Sequence, residues 1–148
     1  MAQPNIQADL KAKFSLISAG MADTLFGALE MEFIDFHADF ITASMPVNAK
    51  TRQSFGLLHG GASIALAETL ASVGAWLNVD ETKFAIVGVE INGNHIRAVR
   101  EGRVIGTATP VHIGRKTHVW QVRITTEDDK VVCVSRCTLA VLPLADLK

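Results

Sequence analysis

Glu68 is the only acidic or basic side chain, histidine aside, in the stretch QSFGLLHGGASIALAETLASVGAW, residues 53–76. On a helix, Ile64 lies one turn before it and Ser72 one turn after, on the same face. Ala65, Ala67, Leu70, Ala71, Val73 and Ala75 leave no polar stripe for a solvated carboxylate to join, so the pattern predicts a buried one. Burial disfavours the charged form and raises a carboxyl pKa, which suits Glu68 to act as a general base or a nucleophile near neutral pH. Ser72 could orient that carboxylate or a water; alone, it is equally a small residue that fills a helix contact.

Gly60 and Gly61 open the same helix, where the first amides lack intrahelical partners and the dipole end is positive. Free N–H groups there suit a developing oxyanion, and glycine lets a carbonyl approach closely; Gly-Gly equally makes a turn into a tightly packed helix. Gln53 could donate its side-chain amide to the same oxygen. His59, at the N-cap, serves either to hold the loop or to touch substrate. Eight residues separate Gly60 from Glu68, about 12 Å along a straight helix. Both groups must lie about 3 Å from the reacting atoms, so one chain's helix cannot supply both to one carbonyl. If both act, they come from different chains, and an antiparallel pair of helices about a two-fold axis gives two equivalent sites per dimer.

Basic residues gather later: His95, Arg97, Arg100, Arg103, His112, Arg115, Lys116 and His118. Most fit solvated strand ends, whereas Gly114-Arg115-Lys116 in a turn would suit a phosphate, because arginine offers a fork of donors. His37 and His118 read as structural or exposed. HExxH, P-loop, GxGxxG and GxSxG patterns are absent, as is any metal-spaced cluster, which removes support for metal catalysis, nucleotide hydrolysis and Ser-His-Asp chemistry. No metal and no bound cofactor are expected.

The elements that must position these groups follow from patterning. The chain has 148 residues, 49% of them hydrophobic, enough for one domain over 1–148. Fourteen Lys and Arg against fifteen Asp and Glu give a net charge of -1, so no overall positive field points to nucleic acid or a membrane, and a small-molecule partner is expected. The N-terminus lacks a signal-like apolar run and no stretch approaches a membrane span, which predicts a cytoplasmic protein. Cys133 and Cys137 read as reduced, packed thiols. Residues 1–26 read as a helical segment, IQADLKAKFSLI, followed by a loop over 18–23. Alternation over 27–47 predicts a hairpin turning near His37 to Asp39. Four strands follow the helix, with turns at 100–102, 114–116 and 127–130. Only that helix is long and apolar enough to cover the sheet, so the expected class is α+β, an antiparallel sheet wrapped around one central helix.

Residues 53–76, with IVGVEINGNHIRAVREGRVIGTATPVHIGRKTHVWQV, resemble the hotdog-fold acyl-CoA thioesterases of the PaaI-like superfamily. The branch is that of the 1,4-dihydroxy-2-naphthoyl-CoA thioesterases and the enterobactin-pathway proofreading thioesterases. HGG, a glutamate nine residues after its histidine, NHxR and EGxV carry the likeness, which spans about Gly27 to Leu142. It implies hydrolysis of an acyl-CoA, aromatic in its acyl group, to a carboxylic acid and free CoA, with CoA part of the substrate. It implies Glu68 as nucleophile or base, the Gly60 amide and Gln53 on the oxyanion from the opposite subunit, Ser72 beside the reacting centre, and His59 as the histidine of HGG. His95, His112, Arg115 and Lys116 map to the mouth and nucleotide-binding surface. A homo-oligomer is implied, a dimer for the site and a tetramer as a dimer of dimers. Carrier-protein thioesters are a variant of this reading. A hotdog hydratase and a non-enzymatic acyl-CoA sensor are its rivals, the first wanting a different acid/His arrangement and the second an effector segment.

Overall fold

The structure, a computed structural model, describes residues 3–147. Short β1 (Asn5–Ile6) leads through a 3-10 turn to helix α1 (Lys11–Met21) and a single turn, α2 (Leu25–Ala28). Strands β2 (Glu32–Phe36) and β3 (Ile41–Pro46) precede the long helix α3 (Gly60–Leu77), and β4 (Phe84–His95), β5 (Arg103–Ile113), β6 (Thr117–Thr126) and β7 (Val131–Pro143) follow it. The seven strands form one sheet in the order β1-β2-β3-β5-β6-β7-β4, antiparallel except for β1 beside β2.

The expected hairpin is present, closed by the His37 amide donating to the Phe40 carbonyl at 3.1 Å. The later turns also fall where expected, with left-handed backbone at Gly102 (φ 83°) and Asp129 (φ 60°). Two features depart from the sequence reading. Asn5 and Ile6 pair with β2 rather than joining a helix, and α1 runs on through most of the expected 18–23 loop. The Ser15 and Ser18 hydroxyls, which favour loops when free, instead donate to carbonyls four residues back, at 3.0 and 2.6 Å. Strand order differs from chain order as well: β4 pairs with β7 at the far edge, so residues 96–102 carry the chain across the sheet.

Helix α3 packs on β3, β4, β5, β6 and β7. Its buried face is Ala62, Ser63, Leu66, Ala67, Leu70, Ala71, Val73, Gly74, Ala75 and Leu77. Alternate residues of the strands meet it, among them Val104, Ala108, Trp120, Val122, Ile124 and Leu139. Small faces large at the contact: a methyl on Gly74 would lie 2.7 Å from the Trp120 ring, and one on Gly106 would lie 2.7 Å from Leu70. The helix end is tied down by Asn78, whose side-chain amide donates to Gly74 (2.8 Å) and to Ala38 in the hairpin turn (2.7 Å). Lys13 of α1 donates to the Val79 carbonyl at 2.8 Å and pairs with Glu81 at 2.8 Å.

Because ring and backbone are both fixed there, Gly74→Ala should lower stability by about 1–3 kcal/mol. Gly20→Ala, in α1 with nothing within 4 Å of the added methyl, should instead be neutral or stabilising by up to about 1 kcal/mol. Urea unfolding of both variants checks this; equal effects would mean that the helix-to-sheet contact is looser than described.

Candidate functional site

The start of α3 is built by its cap. His59 is extended (ψ 131°), and its Nδ1 accepts from the Gly61 amide at 2.8 Å. That bond requires a neutral ring protonated on Nε2. The His59 carbonyl takes the Ala62 amide at 2.9 Å, and the His59 amide donates to Thr51 at 2.8 Å. The Gly60 N–H is left with no acceptor among the described residues. Over Gly60 sits the imidazole of His95, which a methyl at residue 60 would meet at 2.7 Å from Nε2.

Gln53 is oriented by its own loop. Its side-chain carbonyl accepts from the amides of Phe55 and Leu57, and the NH2 group has no acceptor among the described residues. Gln53, Gly60 and His95 line one cavity of about 320 Å³, whose apolar wall includes Leu57, Leu58 and Val132. An N–H of a helix start and an oriented side-chain amide that line the same pocket are both donors of the kind that binds an oxyanion.

Glu68 lies elsewhere. With Gly61, Ile64, Ala65, Thr69 and Ser72 it lines an open groove of about 460 Å³ on the outer face of α3. The carboxylate is exposed, not buried as the apolar surroundings predicted. Small apolar residues on both faces of α3 concealed the fact that the sheet covers only one of them. The carboxylate rests against β4: Oε1 lies 2.8 Å from where a methyl on Gly88 would be, beside a bulge that leaves Val89 without a partner in β7. Its charge, with that of Glu90, adds to burial in pushing the Cys137 thiol up to about 11; burial is the larger cause. Cys133 and Cys137 are both free and buried, as the sequence predicted.

Within one chain, then, Gln53 and Gly60 come together with His95, and Glu68 comes together with Ser72, but the two groups sit at separate places along α3. His59 stays at the cap and lines neither space. His112, Arg115 and Lys116 are exposed at the β5–β6 turn. Ile113 there stands opposite His118, His118 opposite Leu139 and Leu139 opposite Gly88, which puts this turn at the Glu68 end of the sheet. His95, opposite Cys133, is at the other end, so the four do not form one surface in a single chain. Gly88 went unremarked in the sequence, because a glycine within IVGVE looks like any strand residue until the bulge places it. Among the described residues no group of three His, Cys, Asp or Glu could hold a metal, and no helix is long and apolar enough to cross a membrane.

A mostly antiparallel sheet folded on one long central helix is the hotdog architecture of thioester hydrolases. The chain belongs to the thioesterase superfamily, whose family pattern matches residues 55–133. It is 42% identical over 132 residues to the 1,4-dihydroxy-2-naphthoyl-CoA hydrolase of Escherichia coli K12, covering 89% of this chain and 96% of that one. To the proofreading thioesterase EntH of Cronobacter turicensis it is 41% identical over 126 residues, covering 85% and 91%. Among solved structures, a mutant of thioesterase PA1618 from Pseudomonas aeruginosa superposes with a TM-score of 0.84 at 44% identity, covering 88% of this chain and 94% of that one.

The buried His118 beside the β5–β6 turn gives a test in solution. Burial, with a contribution from nearby His112, pushes its pKa below the ordinary 6.5. The folded protein therefore binds fewer protons than the unfolded chain, and stability falls as pH drops through 6.5. Urea midpoints measured down a pH series should show that fall, and His118→Phe should flatten it; an equal slope in both would remove His118 as its source.

Proposed function

We propose that this protein hydrolyses acyl-CoA thioesters, aromatic ones by preference, in a site shared by two subunits. The observation that carries the reading is the division along α3: two oriented, unpaired donors at its start and a carboxylate in a separate groove about 12 Å on. Two such helices packed antiparallel about a two-fold axis bring each donor pair to the other subunit's Glu68. Apolar surface is available for such packing: Ile64, Ala65 and Trp76 on α3 are only partly covered, and Val87 and Val89 are exposed on the edge strand β4.

The Gly60 N–H and the Gln53 amide bind the thioester oxygen of the substrate and strengthen their bonds as it gains charge. Glu68 of the partner subunit takes a proton from water as that water attacks the carbonyl carbon. The C–S bond then breaks, and the sulfur leaves with the electron pair and takes up the proton, giving a carboxylic acid and free CoA. Direct attack by Glu68, with water opening the resulting anhydride, has the same balance. Ser72, one turn from Glu68, holds the carboxylate or the water, and His59 fixes the cap that keeps Gly60 in place. His95 shapes the mouth, and His112, Arg115 and Lys116 lie on the surface the nucleotide crosses.

The identity to a 1,4-dihydroxy-2-naphthoyl-CoA hydrolase supports an aromatic acyl group. The likeness to proofreading thioesterases supports a carrier-protein thioester as a variant substrate. In this reading CoA enters as part of the substrate, no metal or bound cofactor takes part, and the enzyme works in the cytoplasm as a dimer or a tetramer of two dimers.

Free-thiol release from benzoyl-, hydroxybenzoyl-, dihydroxynaphthoyl- and straight-chain acyl-CoAs tests it. Aryl thioesters should turn over fastest, and Glu68→Gln should cost about 10²–10⁴ in kcat without loss of folding. Gly88→Ala, which forces the carboxylate to move, should lower kcat more than it changes KM. Wild-type rates in Glu68→Ala would rule the assignment out.

A further inference from the structure

The two donors proposed for the thioester oxygen, the Gln53 amide and the Gly60 N–H, belong to opposite arms of one small closed loop. Its rungs are backbone contacts: the His59 amide donates to the Thr51 carbonyl at 2.8 Å, Arg52 stands opposite Leu58, and the Gln53 amide donates to the Leu57 carbonyl at 2.8 Å. Gly56 closes the tip with left-handed backbone (φ 79°), its amide donating to the Gln53 carbonyl at 2.9 Å. Gln53 thus lies on one arm, and Gly60 directly follows the other. The rungs set the spacing between them.

A two-stranded ladder this short does not hold a fixed place by itself. Two contacts tie it to the sheet side of the molecule. At one, the Leu58 amide donates to the Val99 carbonyl at 2.8 Å. At the base stands Thr51, 1% exposed, whose hydroxyl donates to the Pro46 carbonyl at 2.7 Å and accepts from the Asn48 amide at 2.9 Å. Pro46 ends β3, where it pairs with Arg103 of β5, and β3 packs on α3. One hydroxyl therefore joins the sheet to the residue whose carbonyl holds the His59 cap and from which the chain runs to Gln53. Thr51 itself lines neither the Gln53–Gly60–His95 cavity nor the Glu68 groove. Removing its hydroxyl would leave a buried amide and carbonyl without partners, a cost that the turn relieves by shifting. A misplacement of about 1 Å in groups that face a reacting carbonyl can cost about 10²-fold in rate.

We infer that Thr51 is the positioning residue for the oxyanion donors: its hydroxyl fixes the loop 51–59 on β3 and so sets where the Gln53 amide and the Gly60 N–H stand. The inference rests on the thioesterase reading of those two groups and extends it to a residue that lines neither space.

Thiol release by Thr51→Val, which keeps the shape and removes the hydroxyl, and by Thr51→Ser, which keeps the hydroxyl, tests it. Thr51→Val should lower kcat about 10–100-fold and change KM less than about threefold, because the donors act most strongly as the oxygen gains charge. Thr51→Ser should recover most of that loss. Thr51→Cys, a weaker partner of similar size, should fall between them and takes the place of Thr51→Val if that variant does not fold. In a Gln53→Ala background the same change should cost much less, since part of what Thr51 positions is already gone. Thr126→Val, which deletes a hydroxyl that accepts from the Lys130 amide at 3.1 Å in the β6–β7 turn, should leave kcat unchanged. Amide NMR gives a reading that needs no turnover: Thr51→Val should shift the Gly60 N–H and Gln53 side-chain NH2 signals, and Thr51→Ser should return them toward wild type. Losses that simply add to those of Gln53→Ala, a Thr51→Ser protein as impaired as Thr51→Val, or donor signals unmoved by Thr51→Val would overturn the assignment. If wild type released no thiol from any acyl-CoA while the NMR shifts occurred as described, the function would fail and the positioning of the two groups would stand.

Discussion

Close packing of α3 against the sheet is the interaction on which the rest depends. Trp120 sits where only a glycine helix position admits it, and Leu66 and Leu70 press on Gly106. That contact fixes the helix along its length, and Asn78 and Lys13 hold its far end. It also fixes which side of the helix stays outside the sheet. Gly61, Ile64, Ala65, Glu68, Thr69 and Ser72 line the groove that remains. A rigid helix then imposes a separation of about 12 Å between the free Gly60 amide and the Glu68 carboxylate, which no side-chain rotation removes.

If the Gly60 amide and the Glu68 carboxylate act on one carbonyl, as proposed, a second subunit must supply one of them. The two-fold axis that brings opposite ends of two helices together would also cover the apolar residues of β4 and α3 and take Glu68 out of water. In the proposed dimer, burial of that carboxylate would come from assembly, not from folding of one chain. The same arrangement relates the two ends of the sheet. His95 and the arginines after it flank the donor end of one subunit, while the Gly114-Arg115-Lys116 turn lies at the Glu68 end and would approach from the other.

Much of this was legible in the sequence where one physical rule acted alone. Gly60 and Glu68 were separable by counting residues on a helix, and the hairpin and later turns followed from alternation broken by Gly and Asp. The fold as a sheet on one helix followed because only α3 could cover it. Legibility ended where tertiary contacts chose between local options. Ile6 pairs with β2 although its neighbours form helix, and β4 crosses to β7, a choice that strand patterns do not record. The exposure of Glu68 was hidden because small apolar residues on every face of α3 suit burial against a sheet and against a second helix equally. The positions of Gly88 and of Arg97 and Arg100 depend on a bulge and on a crossing segment, neither of which has a composition of its own.

The central claim is that each site takes its donors from one subunit and its carboxylate from the other. Mixing inactive Gln53→Ala and Glu68→Ala proteins under conditions that exchange subunits tests it most directly. Random pairing makes half the dimers mixed, each with one intact site, so activity should return to about a quarter of wild type. If the site lay within one chain, no pairing could restore it, and activity would stay at the level of the separate variants.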